Sequence, residues 1–301
     1  MVRRIIVLFL LCLPLFLIQS CQTGQKHALV FQSDFGVKDA AVASMKGVAF
    51  GVSSDLHMFD LTHEIPAFNI WEAAQRLQQT AKYWPSGTVF VSVVDPGVGT
   101  ERKSVVLKTK SGHYFVTPDN GTLTLVAESL GIAEVREIDE AVNRLKNSEQ
   151  SYTFHGRDVY AYTGARLAAG VITFEQVGPK LPDEVVSIPY QKATFKDGKL
   201  LGNIPILDIQ YGNIWTNISR NIFRKLDAQP GDVLWVRITY QGQIIYENKI
   251  PYLKTFGETK IGAPLLYLNS LNNVSLALNE GNFAATHKIS SGPDWQIEIW
   301  K

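Results

Sequence analysis

Residues of the kinds that do chemistry are concentrated at a few points of this chain. The run Val89–Val94, "VFVSVV", passes directly into Asp95-Pro96-Gly97-Val98-Gly99-Thr100-Glu101-Arg102. A second apolar run, "ALVFQS", ends at Asp34, and His155 stands between Phe154 and Gly156 in "TFHGRD". A carboxylate and an imidazole are proton acceptors, and a guanidinium pairs with an anion or a carboxylate. Each also has a plainer reading. Asp-Pro-Gly is good turn chemistry, a strand-end aspartate caps a helix, an arginine is a solvated charge and an apolar histidine is a satisfied structural residue. Two acids at strand ends weigh against the plain reading, because ligands of open α/β sheets bind beyond the carboxyl ends of the strands.

Other chemistries lack their residues. His57, His63, His113 and His287 have no paired ligand spacing and no HExxH stands in the chain, so no metal site is expected. The "DPGVGTER" loop is neither GxGxxG nor GxxxxGK[ST], and no GxSxG elbow occurs. Cys12 and Cys21 are the two cysteines, both near the N-terminus, which leaves the rest without a thiol nucleophile or disulfide. Basic and acidic residues nearly cancel, 29 against 28, so no field favours nucleic acid. An apolar content of 46% excludes a disordered chain.

The elements that must position these residues follow from periodicity. From His27 to about Ile188, β-like runs ("ALVFQ", "HMFDLT", "TVFVSVV", "SVVLKT", "HYFVT", "VREID") alternate with helical stretches ("DAAVASMKGVAF", "NIWEAAQRLQQTAKYW", "TLTLVAESLG"). This reads as βαβ units around a largely parallel sheet, with a further helix over Asp158–Ala169. After a boundary near 188–195 the texture changes to short strands punctuated by Gly, Asn and Pro, as in "DVLWVRITYQGQIIYENK", which reads as a small all-β barrel or sandwich. The expected division is an α/β domain over 22–190 and a β-barrel domain over 195–301. Residues 1–21 have the form of an export signal: Arg3-Arg4, an apolar run from Ile5 to Ile18, then Gln19-Ser20-Cys21. A run ending at a cysteine resembles a bacterial lipoprotein signal, in which Cys21 would be lipidated and would anchor an exported protein to a membrane.

Seven segments in order give a broader resemblance: "SDFGVKDAAVASMKG", "DLTHEIPAFNIWEAAQRL", "YWPSGTVFVSVVDPGVGTERKSV", "YFVTPDNGTLTLV", "TFHGRDVYAYTGARLAAG", "ILDIQYGNIWTNISR" and "LYLNSLNNVSLALNEGN". They are similar to the S-adenosylmethionine hydroxide adenosyltransferases, relatives of the fluorinating and chlorinating enzymes that use the same substrate. The resemblance implies an α/β domain followed by a small β-barrel, a homotrimer with each site between one subunit's N-terminal domain and a neighbour's C-terminal domain, and hydrolysis of S-adenosyl-L-methionine to adenosine and L-methionine without a cofactor. It implies that Asp95, Arg102 and His155 hold and activate a water, and that Asp34 binds the ribose hydroxyls beside Phe68. It further implies that Phe256 stacks on adenine, Asn213 reads it with Trp215 alongside, Asp208 pairs with the methionine ammonium and Ser270 adds a hydrogen bond. By the same resemblance, the fluorinating relatives carry tyrosine at the positions of Asp95 and His155 and serine at that of Gly156, so the halide pocket is not expected here. Ser33 and Asp39-Ala40-Ala41-Val42 depart from the family's usual "TDFG" and Asp-x-Tyr-Val. The competing expectation is an exported, non-catalytic nucleoside-binding lipoprotein that has kept the fold.

Overall fold

A computed structural model describes residues 27–301; the expected signal and Cys21 lie outside the described residues. Six strands build the first sheet: β1 (Leu29–Ser33), β2 (Met58–Thr62), β3 (Val89–Val93), β4 (Ser104–Thr109), β5 (Tyr114–Pro118) and β6 (Ile132–Glu137). Their order is β2-β1-β3-β5-β4-β6. The four strands β2, β1, β3 and β5 run parallel, while β4 and β6 pair antiparallel at the other edge, so the sheet is largely parallel.

Helices cover both faces because successive side chains of a strand point to opposite sides. Leu29 and Phe31 of β1 face one layer, which contains Met45 and Ala49 of α1 (Ala41–Val52) together with Tyr160, Ala161 and Ala165. Val30 and Phe90 face the other, with Leu77 and Ala81 of α2 (Ile70–Ala81) and Val126 of α3 (Thr124–Leu130). The first turn of α2 is fixed by Asn69, whose side-chain oxygen accepts from the Glu72 amide at 2.9 Å and supplies one of the partners that a helix start lacks. A short helix α4 (Glu140–Asn143) follows β6.

The helix expected over Asp158–Ala169 is in two parts. A π-helical turn, Gly156–Ala161, leads into α5 (Tyr162–Ala168). The π turn starts earlier than the apolar pattern suggests and begins at the residue after His155, so His155 sits at its mouth. Gly164 lets α5 lie directly on β3, since a β-carbon there would collide with Val91 Cγ2.

Beyond residue 193 the chain is almost all β. Strands β7 (Thr194–Lys196), β8 (Lys199–Asn203), β9 (Ile206–Asp208), β10 (Asn213–Ser219), β11 (Val233–Tyr240), β12 (Gln243–Pro251), β13 (Pro264–Leu268), β14 (Asn273–Leu278) and β15 (Trp295–Trp300) form two sheets, β13-β14-β10-β9 and β12-β11-β15-β8-β7. Every pair is antiparallel, and both sheets face one core that includes Leu200, Ile214, Val236, Leu276, Phe283 and Ile297. A bridge between Tyr252 and Leu266 links the end of β12 to β13, so the sheets meet along one side as in a flattened barrel. Two short helices, α6 (Arg220–Phe223) and α7 (Phe283–His287), add Phe223, Phe283 and Ala284 to this core. The two halves of the chain touch where Trp71 of α2 donates to the Pro205 carbonyl at 2.9 Å.

Candidate active site

The loop after β3 is shaped by its glycines. Gly99 takes φ +78°, a region that favours glycine, and the Thr100 amide and hydroxyl both donate to the Gly97 carbonyl, at 3.0 and 2.6 Å. This turn brings Arg102 back over Asp95. Arg102 Nε donates to Asp95 Oδ1 and Oδ2 at 3.0 and 3.1 Å, and Nη2 donates to Oδ2 at 2.6 Å. The other arm, Nη1, donates to Ser104 Oγ at 3.0 Å, and that hydroxyl shares a hydrogen bond of 3.1 Å with the buried Tyr160. Such a fork fixes the guanidinium plane in a way a lysine cannot.

Arg102 Nη2 also stands 3.0 Å from His155 Nδ1. The structure therefore brings Asp95, Arg102 and His155 into one contiguous group, as expected. Burial opposes the charge on Arg102, but its hydrogen bonds to Asp95 together with the nearby Tyr160, Asp95 and Glu140 outweigh this and raise it above its ordinary value. Burial lowers His155 below its ordinary value, the arginines on either side push the same way, and Glu140 and Asp95 push back. Tyr160 is pushed up by burial, so its phenol stays protonated.

Asp34 lies on the same sheet edge, because Ser33 and Val93 are paired across β1 and β3. Its Oδ2 accepts from the Phe68 amide at 2.8 Å. Phe68 has φ +67° and leaves 71% of its surface exposed, an apolar ring held outward by a strained backbone. Behind Asp34, Ser33 Oγ meets His63 Nδ1 at 2.7 Å and His63 Nε2 meets Asp60 at 3.1 Å, with Lys46 on the far side of Asp60 at 2.6 Å. The serine at position 33 thus offers the hydroxyl that a threonine would offer.

The remaining expected residues gather elsewhere. Asp208, Asn213, Trp215, Phe256 and Ser270 all line one cavity of about 790 Å³ on the C-terminal half. Asn213 Nδ2 donates to Asp208 Oδ2 at 3.2 Å across the β9–β10 pair, and Gly212, at φ +68°, makes the turn between them. The ring of Phe256 packs 5.0 Å from that of Tyr267, whose phenol is pushed up to about 12 by burial and by Asp208. The lining comes wholly from residues 208–282, and Asp34, Phe68, Asp95, Arg102 and His155 take no part in it. One copy of the chain carries the reactive groups and the apolar cavity as separate surfaces.

Comparison with known proteins identifies the family. Residues 29–178 match the SAM hydroxide adenosyltransferase N-terminal domain and residues 202–296 the corresponding C-terminal domain. The chain belongs to the SAM hydroxide adenosyltransferase family. An (R)-S-adenosyl-L-methionine hydrolase of Methanocaldococcus jannaschii is 36% identical over 77% of this chain and 81% of its own. A fluorinase of Nocardia brasiliensis is 30% identical over 92% of this chain and 98% of its own. A solved structure, that of an uncharacterized conserved protein from Thermotoga maritima, superposes with a TM-score of 0.82 at 36% identity, covering 91% of this chain and all of that one. The SAM hydroxide adenosyltransferases are a family of SAM-using enzymes, with relatives named for hydrolysis and for fluorination.

Within the SAM hydroxide adenosyltransferase frame, sequence reasoning missed the residues that hold the reactive trio. Arg144 approaches His155 from the side opposite Arg102, with Nη2 3.2 Å from Nε2. Ser104 and Tyr160 grip Arg102, and His63 backs the Asp34 strand end. No sequence motif marks them: Tyr160 and His63 reach their partners from distant elements, and Ser104 and Arg144 do so only through the folded course of their loops. The hydroxyl at Ser33 next to Asp34 was the one available hint.

Proposed function

We propose that the protein hydrolyses S-adenosyl-L-methionine to adenosine and L-methionine. The observation that carries this reading is the Asp95–Arg102–His155 group, in which an imidazole, a carboxylate and a fixed guanidinium converge at the carboxyl edge of the sheet. The sulfonium of the substrate makes its leaving group a neutral thioether. No acid is needed to expel it, and the demand falls on placing and deprotonating a water in line with the C5′–S bond.

In the reaction so read, the water oxygen forms a bond to the ribose C5′, the C5′–S bond breaks, and its electron pair stays on the methionine sulfur. The proton lost by the water passes to Asp95, whose oxygens keep a lone pair beyond the three contacts from Arg102, because both ring nitrogens of His155 face guanidinium groups. Arg102 steadies hydroxide character on the oxygen. The ribose would lie on Asp34, whose two oxygens suit a pair of hydroxyls, and the rest of the substrate would enter a C-terminal cavity, the adenine against Asn213, Trp215 and Phe256 and the amino acid against Asp208 and Ser270. Since these two surfaces are separate within one chain, we infer that a second copy brings its cavity to the first copy's reactive edge, in a closed homotrimer.

Two features favour water over halide. Asp95 and His155 are proton acceptors where the fluorinating relatives are expected to carry phenols. A β-carbon at Gly156 would stand 3.1 Å from Val93 Cγ1 and 3.2 Å from the Phe35 ring, so the space for a halide-binding side chain is already filled.

The deciding experiment incubates residues 22–301 with S-adenosyl-L-methionine in halide-free buffer and follows adenosine and methionine by chromatography, beside His155→Ala. Equimolar products that fall about 10²–10⁴-fold in the variant are expected. Adenosine binding without turnover by either protein would replace this reading with that of a nucleoside-binding protein, and a halogenated nucleoside formed when halide is added would replace it with halogen transfer.

A further inference from the structure

His155 is held between two arginine–carboxylate pairs. On one side Arg102 Nη2 divides itself between Asp95, at 2.6 Å, and His155 Nδ1, at 3.0 Å. On the other, Arg144 Nη2 divides itself between Glu140, at 2.8 Å, and His155 Nε2, at 3.2 Å. The rest of the Arg144 fork is also engaged: Nε donates to Glu140 Oε2 at 3.0 Å and Nη1 to the Ser148 and Ser151 carbonyls at 3.2 Å. Arg144 thus ties α4, the loop 144–151 and the mouth of the π turn to one imidazole.

A guanidinium donates and never accepts. A doubly protonated imidazole would point an N–H at a guanidinium on both sides, with like charges facing at hydrogen-bond distance. A neutral ring has a single lone pair and satisfies one arginine, leaving its N–H turned toward the other. We propose that Arg144, held by Glu140, is a positioning residue for His155: it fixes the ring plane and excludes the imidazolium in the resting site, so that a neutral ring stands beside the Asp95–Arg102 pair before substrate arrives. This rests on the hydrolase reading for its catalytic consequence, though not for its geometry.

The charged and titratable groups around the ring are Asp95 and Arg102 from the β3–β4 loop, Glu140 and Arg144 from α4 and its end, and Tyr160 from the π turn; Arg157 is turned aside onto Asp158 at 2.6 Å. Arg144 and Glu140 push the protonation of His155 in opposite directions. A scaffold role for the pair would make their loss equivalent. An electrostatic role makes it opposite.

The test follows the His155 imidazole by ¹⁵N-detected NMR titration in the wild type, Arg144→Gln, Arg144→Lys and Glu140→Gln, alongside the pH profile of kcat/KM for S-adenosyl-L-methionine. The midpoint of His155 is expected to rise in Arg144→Gln, to fall in Glu140→Gln and to return toward the wild type in Arg144→Lys. The acidic limb of kcat/KM should move with it, giving Arg144→Gln about a three-fold or greater loss near pH 6 and a smaller one near pH 8. Midpoints that do not move, or that move the same way in both glutamine variants, would overturn the proposal. Should Arg144→Gln fail to fold, Arg144→Met carries the same expected rise, and an unmoved midpoint there would overturn the proposal. Absence of turnover in every protein would refute the hydrolase reading alone, because the titration reads the positioning without it.

Discussion

At the scale of single residues, the site is governed by what each neighbour leaves unoccupied. Gly156 is the clearest case. Its missing side chain is what lets the Phe35 ring and Val93 close against the mouth of the π turn, and Phe35 in turn packs edge-on against Phe154 with ring centres 5.7 Å apart. Gly156→Ser therefore adds a hydroxymethyl to a filled space rather than opening a halide pocket. It should destabilise the fold by about 1–3 kcal/mol, as overpacking does, and yield no halogenated nucleoside in chloride or fluoride. Urea denaturation and product chromatography check the two halves, and a halide-dependent product would show that Phe35 yields. The convergence of Asp95, Arg102 and His155 was legible: an acid after a strand, an arginine one glycine turn later and a histidine ahead of a helix are local patterns, and the seven matching segments singled them out as one group. Arg144 was not legible. It precedes His155 by eleven residues with an irregular loop between, and nothing but the folded course of 144–151 makes them neighbours.

The elements tell a similar story. Strands β1 and β3 were readable because a strand covered on both faces needs an unbroken apolar run, and α2 because its buried Trp71, Ala74, Leu77 and Ala81 recur at helical spacing. The π turn was hidden, since "GRDVYAYTGARLAA" has the composition of one continuous helix, and only packing against β3 and α1 selects a wider first turn. The pairing of β8 with β15 and β15 with β11 was hidden as well, because it joins strands far apart in the chain, nearly a hundred residues in the first case. Gly164 shows what the helix-to-sheet contact demands. Gly164→Ala would raise intrinsic helix propensity, by about 1 kcal/mol, yet it would drive a methyl group into Val91. The contact wins, because α5 cannot withdraw without lifting the π turn and His155 with it. The expected outcome is net destabilisation of roughly 1–3 kcal/mol, with kcat falling more than a distant mutation of equal cost would cause. Unchanged stability and activity would mean that α5 rides more loosely on β3 than the packing indicates.

For the whole molecule, the proposed function raises the question of why a chain should divide its expected ligand-handling groups between two separate surfaces. An adenosyl substrate needs a recess for its base, and the reactive edge of the sheet is open: Phe68 projects outward and the large cavity has no residue from that edge. A closed ring of identical copies answers this if each cavity covers a neighbour's reactive edge, and the arrangement makes a numerical prediction. Asp95→Asn disables only the N-terminal half of a site and Asp208→Asn impairs only the C-terminal half. Co-expressed and randomly mixed in a ring, a site is whole wherever an Asp208→Asn copy offers its reactive edge to an Asp95→Asn copy's cavity, which is about one site in four. Mixed protein should therefore recover up to roughly a quarter of wild-type turnover although each variant alone is deficient, and dilution below the assembly threshold should abolish wild-type turnover too. If each chain built its own site, every copy in the mixture would carry one damaged half and turnover would not exceed the average of the two variants. That result would remove the shared site while leaving the chemistry at Asp95, Arg102 and His155 intact, since the geometry of that group is made within a single chain.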